Sequence, residues 1–177
     1  MDITCKIDDR EITRLLDKID RRSEDMLPVM TRIGARYERR VLENFSNETA
    51  PDGSRWAPLA ETTLMMGLVR KKGFRKDGGL KVSGKRYLQG KRILWEHGDL
   101  SDSVHHQATR DSVVIGAGGS VRYAAIHQFG GPAGRGRKVT IPARPYLAMN
   151  EGDGLALAPQ DRAWILKVLE DEMSRWR

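Results

Sequence analysis

The chain has 177 residues, 39% hydrophobic and 31% charged, a size and balance that suit one soluble domain spanning residues 1–177. No apolar run approaches the ~20 residues of a bilayer span, and no basic stretch followed by an apolar one opens the chain, so neither a membrane partner nor a secretory leader is expected. The single cysteine, Cys5, excludes an internal disulfide and a Cys-rich zinc site, which fits a reducing cytoplasm.

The net charge of +7 is unevenly spread. Residues 67–92 hold ten Lys or Arg against one acid, Asp77, and carry +9, while the rest of the chain sums to −2. Such an insert attracts polyanions, of which nucleic acid is the usual one.

In chain order, residues 2–7 alternate apolar and polar, which predicts a short strand with Cys5 as a small buried side chain. Asp8 or Asp9 can cap a helix whose stripe is Ile12, Leu15, Leu16 and Ile19. A second helix is predicted from about Asp25, with Pro28 in its first turn, to Ser46 or Asn47. Its apolar face is Val29, Met30, Ile33, Tyr37, Val41, Leu42 and Phe45. Pro51, Gly53 and Pro58 interrupt regular structure, and residues 59–68 suit a short helix. Residues 73–90, rich in Gly, Lys and Arg, read as a long basic loop. Strands are expected at 100–108 and 112–117, and a short helix or irregular segment at 123–129. A Gly-rich loop at 130–136 and a short strand around Val139 and Ile141 follow. A last helix starts near Pro159 or Asp161 and carries Trp164, Ile165, Val168, Leu169, Met173 and Trp176. This order gives an α+β fold: an antiparallel sheet of short strands packed with two N-terminal helices and one C-terminal helix, with a basic loop insert at about 67–92.

Four segments are more specific than their composition. The first runs Phe-Ser-Asn-Glu-Thr-Ala-Pro-Asp-Gly-Ser-Arg-Trp-Ala-Pro-Leu over 45–59 and is followed by Thr62 and Thr63. The second is Ile93-Leu94 with His-Gly-Asp-Leu-Ser-Asp-Ser-Val at 97–104. The third is Tyr-Ala-Ala-Ile-His-Gln-Phe-Gly-Gly at 123–131, and the fourth is Val-Thr-Ile-Pro-Ala-Arg-Pro-Tyr-Leu at 139–147. In this order and spacing they resemble the phage virion morphogenesis family, the tail-completion proteins of Mu-like phages. His97 stands where that family commonly has Thr, and the basic stretch is long and unusually charged for it. The resemblance covers most of the chain. It implies a structural protein and not an enzyme, one that completes or terminates the tail and helps join it to the head. It also implies a homo-oligomeric ring, expected to be a hexamer, with the tail tube and neck or connector proteins as partners. Its place would be the tail or neck of the virion, after assembly in the host bacterial cytoplasm. No cofactor or metal is expected.

The motif residues singled out as interface candidates are Pro51, Gly53, Trp56, Leu59, Leu94, Gly98, Leu100, Tyr123, His127, Gln128, Gly130, Pro142, Arg144, Pro145 and Leu147. Pro51 and Gly53 suit a turn, and Trp56 either pins that loop to the core or anchors a neighbouring subunit. Tyr123 and His127 share a helical face, and His127 can bond a backbone carbonyl or another chain. Arg144, held between Pro142 and Pro145, is placed for a bidentate salt bridge, within the subunit or across a ring interface. Arg135, Arg137 and Lys138 add a second, smaller basic patch.

The sequence offers two other functions to set beside this one. Arg70, Lys71, Lys72, Arg75, Lys76, Lys81, Lys85 and Arg86 can meet the phosphates of phage DNA, or dock on a protein partner. That gives a sequence-independent DNA-binding protein as the alternative. A metal-dependent hydrolase built on His105, His106 and His127 has no ligand spacing, paired carboxylates or nucleophile elbow behind it.

Overall fold

The computed structural model describes residues 3–6, 12, 14, 26–119, 121–149 and 157–175. A strand, β1 (Ile3–Lys6), precedes a 21-residue helix, α1 (Leu27–Asn47). The helix expected after β1 lies outside the described residues except at Ile12 and Arg14, whose backbones are helical. The side chain of Cys5 and the position of Trp176 lie outside them too.

Pro28 sits in the first turn of α1, where its missing N–H costs nothing, and the helix ends at Glu48 in a left-handed conformation. Val29, Met30, Ile33, Tyr37, Val41 and Phe45 recur at helical spacing and are all buried. They lie on a three-stranded antiparallel sheet made of β1, β2 (Val104–Ala108) and β3 (Val113–Ala117), with β3 in the middle. Val104 pairs with Ala117 and Ala108 with Val113, so the 109–112 turn joins neighbouring strands. Thr109 and Asp111 close that turn through side-chain hydrogen bonds.

The closing helix, α6 (Pro159–Ser174), buries Ile165, Val168 and Leu169 against the same core, and Arg36 of α1 stacks on its Trp164 at 4.2 Å. Among the described residues, four more helices lie between α1 and α6: α2 (Glu61–Arg70), α3 (Val82–Gly90), the short α4 (Asp99–Asp102) and α5 (Ala124–Phe129). A two-stranded ribbon, β4 (Gly131–Ala133) with β5 (Val139–Ile141), follows α5. Helices alternate with small antiparallel sheets, an α+β architecture.

Three stretches differ from the sequence reading. Residues 73–90 are not a continuous loop: α3 occupies 82–90 and pairs with α2 as a helical hairpin. The strand expected at 100–108 starts only at Val104, because 99–102 coil into α4. Ser101 and Ser103 bond the carbonyls three residues before them, which favours that turn over an extended strand. The Gly-rich stretch at 130–136 is partly ordered as β4, closed by a 3₁₀ turn at Arg135–Arg137.

Candidate functional site

The first and third motifs meet the fourth at the segment 142–149. Pro142 and Pro145 keep it extended, and its backbone groups are bonded by side chains from elsewhere in the chain. Gln128, on α5 and only 1% exposed, accepts from the N–H groups of Tyr146 and Leu147 at 3.0 Å each and donates to the Leu147 carbonyl at 2.8 Å. Asn44 of α1 donates to the Tyr146 carbonyl, and the Trp56 indole donates to the Pro145 carbonyl at 2.7 Å. The carbonyls of Pro145, Tyr146 and Leu147 and the N–H groups of Tyr146 and Leu147 are thus engaged, which offsets the cost of burying them. Tyr146 is fully buried, tilted against Phe45 at 5.1 Å, and Trp56 meets Phe45 edge-on at 5.6 Å. Burial pushes the Tyr146 phenol well above its ordinary pKa, and its hydroxyl donates to the Ala124 carbonyl.

Arg144 is also buried. Its Nε donates to the Ala57 carbonyl at 2.8 Å and Nη2 to the Pro58 carbonyl at 2.9 Å. The bidentate contact therefore joins the guanidinium to two successive backbone carbonyls and not to a carboxylate. It draws the 57–58 loop onto the clasp. The loop itself turns at 51–53, where Gly53 adopts φ 87° and the Asp52 carboxylate accepts from the Ser54 N–H. Hydrogen bonding from Ser54 holds the Asp52 carboxyl below its usual range.

A cleft of about 410 Å³ opens beside the clasp. Leu59, Leu94, Gly98, Leu100, Tyr123, His127 and Arg144 all reach it, so residues from all four motifs meet there. Leu94 sits at φ 55° in a turn, with the Ile93 N–H bonded to the Glu48 carboxylate, and Gly98 at φ 97° starts α4. Tyr123 is 44% exposed and meets His127 edge-on at 5.6 Å. His127 Nδ1 is buried without a hydrogen-bond partner. Burial lowers the His127 pKa from its ordinary value, and the nearby Arg144 charge lowers it further, so both favour the neutral ring. Desolvation, with a smaller contribution from Asp99, raises the Tyr123 phenol.

The other motif residues fall elsewhere. Pro51, Gly53, Pro145 and Leu147 line a second cleft, of about 550 Å³, on the α6 side. Gly130 ends α5 at φ 73°, and Pro142 leads out of β5. His105 and His106 lie on β2, where His106 Nδ1 contacts the Glu38 carboxylate at 2.5 Å and His105 contacts the Ser103 carbonyl. Among the described residues no group of three His, Cys, Asp or Glu could hold a metal ion. No described helix is long and apolar enough to cross a membrane.

The basic stretch is the second notable surface. Its two helices touch through glycines. A Cβ on Gly84 would stand 2.4 Å from the Gly73 carbonyl oxygen, and one on Gly67 would strike the Tyr87 hydroxyl. Arg75 and Gly79 close the turn by a backbone bond of 2.7 Å, and the Asp77 carboxylate accepts from the Gly79 N–H. Arg70 and Lys91 both hold the Glu96 carboxylate, whose pKa is lowered, chiefly by the Lys91 hydrogen bond. Arg92 donates to the Phe45 carbonyl at the end of α1 and stacks on Trp95 at 4.7 Å, which ties the base of the hairpin to the body.

Against known proteins, the profile described as "Phage virion morphogenesis family" matches residues 7–174. A protein of Haemophilus influenzae, "Mu-like prophage FluMu G protein 2", is 30% identical over 162 residues, covering 92% of this chain and 88% of its own. No solved structure gives a significant match.

Proposed function

The chain belongs to the phage virion morphogenesis family, a structural family of virion assembly, and from that membership we propose that it completes or terminates the tail as a ring-forming subunit at the head-tail junction. The observation that carries this reading is the family match across nearly the whole chain. The likeness to a protein named for a Mu-like prophage supports a prophage or phage origin.

The geometry supports an assembly role over chemistry. The polar motif residues Gln128 and Arg144 are spent on bonding the chain to itself. Apolar and aromatic groups stand at the surface as well: Tyr123 and Trp95 around the cleft, and Val139, 58% exposed, on β5. Large apolar groups at the surface mark contact sites. Among the described residues the β4–β5 ribbon has two strands, and each leaves an edge that a neighbouring subunit can extend. In this reading the partners are further copies of the chain, the tail tube and the neck or connector proteins. The enclosed ring has a closed, heterologous contact repeated about six times.

Light scattering across a concentration series tests the ring. A mass of about six subunits that falls towards a monomer in Val139→Asp supports it. A protein that stays monomeric both alone and with purified tail tubes contradicts it.

A further inference from the structure

We propose that the α2–α3 hairpin is a sequence-independent binding site for the phosphodiester backbone of nucleic acid. Of the ten Lys and Arg in 67–92, four have work within the chain. Arg70 and Lys91 hold Glu96, Arg92 bonds Phe45 and Trp95, and Lys81 donates to the Lys72 carbonyl. The other six, Lys71, Lys72, Arg75, Lys76, Lys85 and Arg86, are exposed and form no ion pair among the described residues. The one acid among them, Asp77, is turned to its own backbone at Gly79.

Six like charges on a short hairpin repel one another, and a flexible loop would relax by spreading them. This hairpin does not spread. Gly67 of α2 packs on Tyr87 of α3, Gly84 of α3 packs on the backbone of Gly73 just after α2, and the turn is bonded across 75–79, so the charges are held on one fixed frame before any ligand arrives. Between the hairpin and residues 91–97 runs a groove of about 560 Å³, lined by Lys71, Ser83, Arg86, Tyr87, Lys91 and Trp95. Glu96 also faces it, already neutralised by Arg70 and Lys91. Cations and a hydroxyl around a groove are donors for phosphate oxygens, and the two aromatic rings offer faces for a sugar or base. Phosphate contacts of this kind carry no base readout, hence no sequence preference.

The site rests on charge and geometry and is independent of the tail-completion reading, so either can fail alone. The test is fluorescence anisotropy with the full chain and two short DNA duplexes of unrelated sequence, in rising salt. Both duplexes should bind alike. Six phosphate contacts predict a log–log salt slope of about −5 and a loss of about a thousand-fold in affinity between about 50 and 200 mM salt. Changing Lys71, Lys72, Arg75, Lys76, Lys85 and Arg86 together to Gln should abolish binding while leaving the circular dichroism spectrum and melting temperature as they were. The triple change Arg135→Gln, Arg137→Gln, Lys138→Gln, in the smaller basic patch, should leave the slope nearly intact. Absence of binding at low salt overturns the proposal. So does an equal slope in the six-site variant, or polyglutamate bound as tightly as DNA, which would assign the hairpin to an acidic protein surface.

Discussion

The body and the hairpin are held together by opposite means. In the body, α1 alone buries Val29, Met30, Ile33, Tyr37, Val41 and Phe45, and the 142–149 segment is clasped by Asn44, Trp56 and Gln128. In the hairpin, the one buried side chain is Leu68, and the close contacts are made at glycines, Gly84 on Gly73 and Gly67 on Tyr87. The body therefore draws its stability from apolar area and satisfied polar groups. The hairpin draws its shape from backbone fit and leaves nearly all its side chains to solvent. A region that contributes little to the core can carry whatever charge its partner requires.

Substitutions can break that contrast, and the largest effects belong to the body. Tyr146→Ala removes a ring with no exposure and leaves Phe45 facing a void, and should cost about 3–5 kcal/mol in denaturant unfolding. Gln128→Leu keeps the volume but strands the N–H groups of Tyr146 and Leu147 and the Leu147 carbonyl. It should cost about 2–4 kcal/mol by the same measurement.

In the hairpin a single methyl group should act locally. Gly84→Ala drives a Cβ into the Gly73 carbonyl, which belongs to the backbone and cannot swing aside. Limited proteolysis should then cut within 74–81 several-fold faster, while the global unfolding free energy changes by no more than about 1 kcal/mol. A larger global loss would mean that the hairpin and body unfold as one unit.

The smallest effect is a pH dependence. Burial and Arg144 depress the His127 pKa, so the folded chain prefers the neutral ring and the unfolded chain takes up the proton more readily. This contribution is fully present above the unfolded value, about 6.5, and is lost as pH falls below it towards the folded value. The melting temperature of the native chain relative to His127→Gln should therefore decline as pH drops from about 7 to about 5. A constant difference across that range would show that His127 does not titrate in the window.

The same contrast explains what was legible in the sequence. The α1 and α6 stripes and the Val113–Ala117 strand announce themselves, because buried faces leave a period in the apolar residues. No such period exists in 82–90, where the contacts fall to Gly84 and Tyr87, so a helix there reads as a loop. The 99–102 turn was hidden for a related reason: Ser101 and Ser103 shape it through carbonyls, which leaves no apolar signal. At the site, the four motifs mark the residues that gather at the clasp and cleft, but not their tasks. A glutamine reads as surface, yet Gln128 is among the most buried side chains, and Arg144 suggests a carboxylate partner where two carbonyls serve. Both facts depend on which backbone groups tertiary packing leaves unpaired, and a one-dimensional pattern does not record that. Trp56 suits either a core pin or a subunit anchor in the sequence; within this chain it is buried and bonded to the Pro145 carbonyl.

Electron microscopy of particles made with and without this protein tests the central claim most directly. If it completes the tail, its removal should leave heads and tails that accumulate unjoined, and adding the purified chain should restore joined particles with new density at the head-proximal tail end. Complete, infectious particles formed in its absence would contradict the account.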